Sequence, residues 1–371
     1  MEFLIKRIYI FPTLIMKKIV AYIVLIFFIT IYLISSHIGY MKKVTEWKYK
    51  SKTIFASDKY SYGDLYGMSY YPIKEVFGSD SLTVPIDKYP NTKNKNLCLV
   101  HDSYLGGAFL KQKYQLSGID TIFDIEYPWR NKPSTPILLD TTKINILVFE
   151  IVERHLLTLF DSLTATNVVK FKINIPNAIN KRQIIQDEIT TASNNSPIEK
   201  IVQILFCENV NTNLEFVIFN SRIFTPFKEF KSYINNTFFD RKATDIFVSA
   251  NKKYMFYSET RTSIEKKITN AEVNKTVKLL NYVYEYYKKK GFSEVYFSII
   301  PNPVSIIEPD CENYNNLIPL IQNNKNLIVP MIDIYTVFKK TNNNIYYHSD
   351  THWNKNGFQL WLNEFNRKTN E

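Results

Sequence analysis

Residues 19–38 read IVAYIVLIFFITIYLISSHI, a stretch without a single Asp, Glu, Lys or Arg. As a helix it rises about 30 Å, the thickness of a bilayer's hydrocarbon core. A helix that is apolar all round needs either a very large core or lipid to cover it. The stretch is therefore expected to cross a membrane once, with the rest of the chain folding outside the lipid. Lys17 and Lys18 precede it and Lys42 and Lys43 follow it, so charge bias leaves its orientation open. Tyr22, Tyr32 and Tyr40 suit the two interfaces. A cleaved secretory signal is the rival, but SSHIGY is a poor small-residue cleavage site. The expectation is an uncleaved signal anchor within residues 1–45, followed by one body over 46–371.

A chain of 371 residues can bury a large core without staples. Its 9 glycines argue against Gly-loop nucleotide-binding architectures. The net charge of +11 favours an anionic neighbour, such as a lipid surface, an acidic polysaccharide or nucleic acid. No RRM, zinc-finger or basic-zipper pattern supports nucleic acid, so no such partner is expected. The Lys- and Asn-rich usage also fits an AT-rich genome. Cys98, Cys207 and Cys311 have no zinc-like spacing. Cys98 lies in the apolar run LCLV and reads as a core residue, while a Cys207–Cys311 disulfide stays open in an oxidising compartment.

Short apolar runs alternate with helical patterns through the body. LCLV (97–100), IDTIFDIE (119–126), INILVFEIVER (144–154), SEVYFSIIPN (293–302) and NLIVPMIDI (326–334) predict five buried strands. GGAFLKQKYQL (106–116), the amphipathic 272–290 and NGFQLWLNEFNRK (356–368) predict helices. This alternation predicts a parallel α/β sheet, which places its ligands at the carboxyl ends of the strands. The polar tails HDSY, VER and PNP all fall there. NLEFVIFNSRIF and TDIFVSANKKYMFYS look strand-like and belong to an expected insertion or cap at about 160–270.

Chemistry concentrates in two places. HSDTHWNKNG (348–357) sets Asp350 two residues before His352, where a carboxylate can fix an imidazole's tautomer and stabilise its cation. Ser103 follows a buried run and precedes a glycine pair, a position from which a hydroxyl can face a pocket. Together they suit a Ser103–His352–Asp350 relay. Ser103 and Asp350 could equally cap the helices that follow them. A metal site at His348, Asp350 and His352 is a further alternative. Arg154 could hold an anionic substrate group or pair with Glu150 or Glu153. Trp353 could pack the loop or stack on a sugar.

VHDSYLGGAFL resembles the serine block of SGNH/GDSL-type hydrolases, and DTHWNKNGF resembles the Asp-His block of alginate-type O-acetyltransferases. FEIVERHL, KYSYGDLYGMSYY, VSANKKYMFYS and SIIPNPVSI look like other segments of DHHW-like, SGNH-related membrane-anchored proteins, so the likeness spans roughly residues 55–365. His101 stands where the hydrolases usually have glycine, and the serine block precedes the Asp-His block, the reverse of the acetyltransferases. A circular permutation would reconcile the two orders.

The resemblance implies a flavodoxin-like, three-layer α/β/α fold of SGNH type behind one transmembrane helix. It implies a bacterial O-acetyltransferase of a cell-surface or secreted polysaccharide, with its body on the periplasmic side of the inner membrane. Ser103 would be the nucleophile, His352 the base and Asp350 its orienting acid. The Gly106 backbone and Asn302 are the oxyanion candidates, with Arg154 and Trp353 touching substrate. A multispanning membrane acyltransferase would deliver acetyl groups, and neither cofactor nor metal is expected. A carbohydrate esterase with the same triad, or a glycan-binding scaffold, is the alternative.

Overall fold

The computed structural model describes residues 2–45, 54–57, 59–76, 94–105, 116–126, 139–161, 209–239, 245–307 and 310–371. The chain divides into two compact units, Met1–Ser61 with Ile185–Ile234, and Tyr62–Ile184 with Asn235–Glu371. The boundaries expected at 45/46 and at about 160–270 do not coincide with this division. Residues 209–234 group with the N-terminal helix, and 245–270 group with the sheet.

In the first unit a helix runs over Glu2–Ser36, and its part Met16–Ser36 is long and apolar enough to cross a membrane. The side chains of residues 16–30 are all exposed, whereas Ile31, Ser35 and Ser36 are buried. After His37 a short helix, Ile38–Thr45, returns Met41 and Val44 to the same small core. Val217 completes that core, with Leu214, Phe216 and Ile218 half-buried around it. NLEFVIFNSRIF is accordingly helical rather than extended: an α-helix over Val210–Glu215, a π-turn over Phe216–Asn220 and a 3-10 turn over Arg222–Phe224. Its Leu, Val, Ile and Phe content favours strand in isolation. Leu214, Val217 and Ile218 meet one partner surface only at helical spacing, and that burial decides the outcome.

The second unit is α/β. Four parallel strands, β1 (Lys95–His101), β2 (Ile119–Glu126), β3 (Ile144–Val152) and β6 (Glu294–Ile300), lie in the order β2-β1-β3-β6. Between β2 and β6 in sequence, β4 (Ile246–Val248) and β5 (Met255–Tyr257) form a separate antiparallel hairpin. Strands β1, β3 and β6 are buried on both faces, which their unbroken apolar runs require. One face receives the helix Asn270–Lys289 through Val273, Val277, Leu280 and Val283, packed with Cys98, Leu147, Phe149 and Phe297. The other receives the helices Ile334–Lys340 and Lys355–Asn370 through Ile334, Phe338, Trp361 and Phe365, packed with Leu97, Leu99, Ile146 and Val148. A capping box of Thr269 and Glu272 opens the first of these helices. Gly291, at φ 103°, turns the chain out of it.

The fifth expected strand does not form. Residues 326–334 make a single parallel bridge, Met331 to Phe297, flanked by Phe297 N–H donating to the Pro330 carbonyl (3.2 Å) and Ile332 N–H to the Phe297 carbonyl (2.8 Å). Pro330 has no N–H to carry the ladder further. Among the described residues Cys311 is a free thiol that accepts from Lys339 Nζ at 3.3 Å. Cys207 itself and the helix expected over 106–116 lie outside the described residues.

Candidate functional site

The strand order reverses between β1 and β3, where an open parallel sheet leaves a crevice at its carboxyl ends. At that point β1 ends at His101 and the chain turns through Asp102, Ser103 and Tyr104. Asp102 is the clasp. Its Oδ1 accepts from Tyr104 N–H (2.9 Å), its Oδ2 accepts from Val152 N–H at the end of β3 (3.1 Å), and its own N–H donates to Glu150 Oε2 (3.0 Å). With the backbone pinned on both sides, Asp102 and Tyr104 are buried and the side chain between them, Ser103, is exposed.

The facing loop gives most residues of DTHWNKNG a physical task. Asp350 Oδ1 accepts from His352 Nδ1 at 2.6 Å and from His352 N–H at 2.9 Å. His352 Nε2 lies 2.8 Å from Ser103 Oγ. A proton held on Nδ1 by the carboxylate leaves Nε2 as the acceptor of the serine proton. Trp353 is fully buried and its Nε1 donates to the Tyr104 carbonyl (3.1 Å), tying the histidine loop to the serine turn. Asn354 caps the terminal helix, accepting from Asn356 and Gly357 N–H at 2.9 and 3.2 Å. Gly357 permits a close approach: a Cβ there would stand 2.5 Å from the Ile345 carbonyl oxygen.

One residue of the site escaped the reading of the chain. Asp64 opens the short helix Asp64–Ser69, and its carboxylate takes both polar groups of Thr351, N–H at 2.9 Å and Oγ1 at 2.6 Å. Its own N–H donates to Asp350 Oδ2 at 2.8 Å. Asp64 thus clamps the loop from the side opposite Ser103. Gly63 makes the approach possible, since its φ is 98° and a Cβ would lie 2.2 Å from the Ser349 carbonyl oxygen. Leu65 and Tyr66 pack the helix onto the β4–β5 hairpin, and Met255 N–H donates to the His348 carbonyl (2.8 Å). Asp64 lies within KYSYGDLYGMSYY, singled out only for a family likeness, and its Gly-Asp pair ahead of apolar residues reads by itself as an ordinary helix start.

Electrostatics follow from these contacts. Burial works against a charged His352, but the Asp350 carboxylate and its hydrogen bond outweigh it and hold the imidazole pKa above its ordinary value. Burial likewise opposes ionised Asp350, yet His352 and two N–H donors keep its pKa below the usual range. Asp64 is pushed up to about 6, by burial first and the neighbouring Asp350 charge second. Glu150 is held well above the ordinary value by burial and then by Asp102.

The remaining expected site residues are placed differently. Asn302 is fully buried, its N–H donating to Glu153 Oε2 (2.9 Å) and its Nδ2 to Ser263 Oγ (2.9 Å), so its amide hydrogen bonds serve an internal cluster and not an oxyanion. Trp353 has no exposed ring face for a sugar. Arg154 forms no ion pair with Glu150 or Glu153. Its guanidinium lies 5.9 Å from the Tyr104 ring and 5.8 Å from the Tyr257 ring, with Nε and Nη1 buried and without a partner. Gly106 lies outside the described residues. His348 turns away from Asp350 towards Glu75 (3.4 Å) and the Tyr254 ring (4.5 Å), so the triad of metal ligands considered with it is not assembled. Asp64, Asp350 and His352 do converge, with ligand atoms within 4.8 Å. Every carboxylate oxygen in that group already accepts an N–H or O–H, which a cation would have to displace.

The arrangement is therefore that of a serine activated by a carboxylate-oriented imidazole at the carboxyl edge of a parallel sheet. Compared with protein-family models, curated proteins and solved structures, the chain matches none.

Proposed function

We propose that the protein is a serine-dependent O-acetyltransferase acting on an exported or cell-surface polysaccharide. The observation that carries this reading is the continuous relay from Ser103 Oγ to His352 Nε2 (2.8 Å) and from Nδ1 to Asp350 (2.6 Å). In the first half-reaction Ser103 Oγ attacks the acetyl carbonyl of the donor while His352 Nε2 takes its proton. The tetrahedral adduct collapses, the donor's leaving group departs with that proton, and acetyl-Ser103 remains. A sugar hydroxyl then attacks the acetyl carbon, His352 takes its proton and returns it to Ser103 Oγ, and the sugar ester is released. The Asp102 and Tyr104 N–H groups of the turn already donate to Glu150 and Asp102, so the Ser103 N–H is the oxyanion donor in this scheme. The Arg154 guanidinium beside the Tyr104 ring contributes a positive charge behind the turn.

The choice of acetyl transfer to a glycan rests on the likeness of DTHWNKNGF to the Asp-His block of alginate-type O-acetyltransferases, and the SGNH-type fold is proposed on the same ground. The bilayer-length helix supports a membrane anchor; a cytoplasmic membrane with the body on the periplasmic side is proposed from the same likeness. A multispanning acyltransferase is the proposed acetyl donor.

The test uses the full chain in detergent or nanodiscs with an activated acetyl ester and an oligosaccharide acceptor. Acetylated sugar, with acetyl-Ser103 trapped by intact mass, is the expected result. Free acetate without acetylated sugar would replace transferase by esterase. Absence of both products and of the acyl-enzyme would sink the catalytic reading in favour of a scaffold.

A further inference from the structure

The helix Thr225–Phe238 is built the wrong way round for a surface in water. Thr225 and Ser232 are buried and Lys228 and Glu229 are half-buried, while Phe227, Phe230 and Tyr233 stand 71%, 66% and 57% exposed. Phe219, on the π-turn that leads into it, is 62% exposed. The helix Asn270–Lys289 shows the ordinary arrangement, with its valines and leucine inside and its lysines outside. Phenylalanines at three-residue steps on the outer face, backed by polar residues on the inner one, invert that logic. Scattered apolar residues on a surface need no explanation, but a row of aromatics on one face does.

A second observation says what covers the row. The segment before this helix is packed on the end of the bilayer-length helix. Val217 shares a core with Ile31, Met41 and Val44, and Asn213 Nδ2 donates to the Ser35 carbonyl at 2.8 Å. Ile31 and Ser35 belong to the last two turns of Met16–Ser36, where the apolar run reaches the bilayer boundary. Protein covers those turns, whereas the residues before them are bare and left to lipid. Phe219, Phe227, Phe230 and Tyr233 belong to the same compact unit as that helix. Lys231 is exposed among them, and such a cation can reach the headgroups while its stem stays in the apolar layer.

We infer that residues 216–233 form a second membrane-contacting element, an interfacial segment whose Phe219, Phe227, Phe230 and Tyr233 enter the boundary between headgroups and acyl chains. The bilayer is thus held in two ways, by a helix that crosses it and by an aromatic face that lies on it. This inference is independent of the acyl-transfer chemistry, but it rests on the N-terminal helix being a membrane span.

The test places the full-length protein in phosphatidylcholine–phosphatidylglycerol vesicles, with or without bromine on the acyl chains. Phe230→Trp and Phe227→Trp are compared with the wild type, whose native tryptophan signal is subtracted. The added indole is expected to emit at shorter wavelength, to lose emission to brominated lipid and to resist quenching by acrylamide. Quenching by acrylamide without an effect of bromine would overturn the proposal. So would a blue shift without bromine quenching, which would mean that another protein or a second copy covers the face. Ile26→Trp serves as the reference in the span. If it is quenched by bromine and both phenylalanine positions are not, the span stands and the interfacial segment falls. If it too is untouched, the membrane span and the proposal fall together.

Discussion

The two loops that meet at Ser103 and His352 are each held by a carboxylate outside the relay, but the two clamps differ in what they hold. On the serine side Asp102 bridges the ends of β1 and β3 and rests on the buried Glu150, so it ties backbone to backbone. On the histidine side Asp64 bridges to Thr351 and Asp350, and with its pKa pushed up to about 6 it sets a titrating charge beside the imidazole. One clamp mounts the serine turn. The other adds a pH-dependent charge to the loop that carries His352.

The largest effect separates chemistry from architecture. Ser103 is exposed and carries none of the bonds that pin its turn, so Ser103→Ala should cut kcat by on the order of 10⁴-fold or more with little change in Tm. A variant that still turned over at the wild-type rate would remove Ser103 from the reaction. Gly63→Ala tests the geometry of the other clamp. A methyl group 2.2 Å from the Ser349 carbonyl oxygen, at a φ of 98°, forces the Asp64 helix away from the loop. A loss of roughly 2–4 kcal/mol, read by denaturant unfolding, should accompany a fall in activity. Asp102→Ala comes next, since it leaves the N–H groups of Tyr104 and Val152 without their acceptor. Each buried orphan costs about 1–3 kcal/mol, a loss to be read by denaturant unfolding.

How far the site was legible in the chain follows the same division. The relay was visible because its parts sit in dense strings: Ser103 ends a buried apolar run, and Asp350 and His352 lie two residues apart between a turn and a helix. The clamps were not. Asp102 looked like the neighbour of a serine, and its task depends on a backbone N–H of β3. Asp64 is 286 positions from Asp350 in sequence, and no local pattern announces a contact at that distance. The parallel sheet could be read from unbroken apolar runs, yet the same rule overreached at NLIVPMIDI. There Pro330 stops the ladder after one bridge. It also failed at NLEFVIFNSRIF, where a helical partner surface on Ile31, Met41 and Val44 overrode strand propensity. Trp353 shows the limit for side chains: an indole beside a histidine reads as a ligand platform or as packing, and only its burial decides for packing.

The smallest effect, and the sharpest probe of the contrast between the clamps, is Asp64→Asn. The substitution preserves shape: the amide oxygen can still accept from Thr351 N–H, and the amide nitrogen can donate to Thr351 Oγ1. What disappears is a negative charge that helps hold the His352 pKa up. The base works only as neutral imidazole, so activity falls as pH drops through the His352 pKa, and lowering that pKa moves the acid limb of kcat/KM to lower pH. Below pH 6 Asp64 is already largely protonated, so variant and wild type should converge; above it they should separate by a few-fold, with the variant ahead on the acid limb. Stability carries the same sign. A carboxyl raised from 3.8 to about 6 on folding contributes stability that is complete below the lower value and lost as pH rises through the higher one. The asparagine variant lacks that loss, so its Tm should gain on the wild type between about pH 4 and pH 6. An unchanged acid limb together with parallel Tm curves would show that Asp64 sets no titrating charge beside His352, and the distinction between the two clamps would be gone.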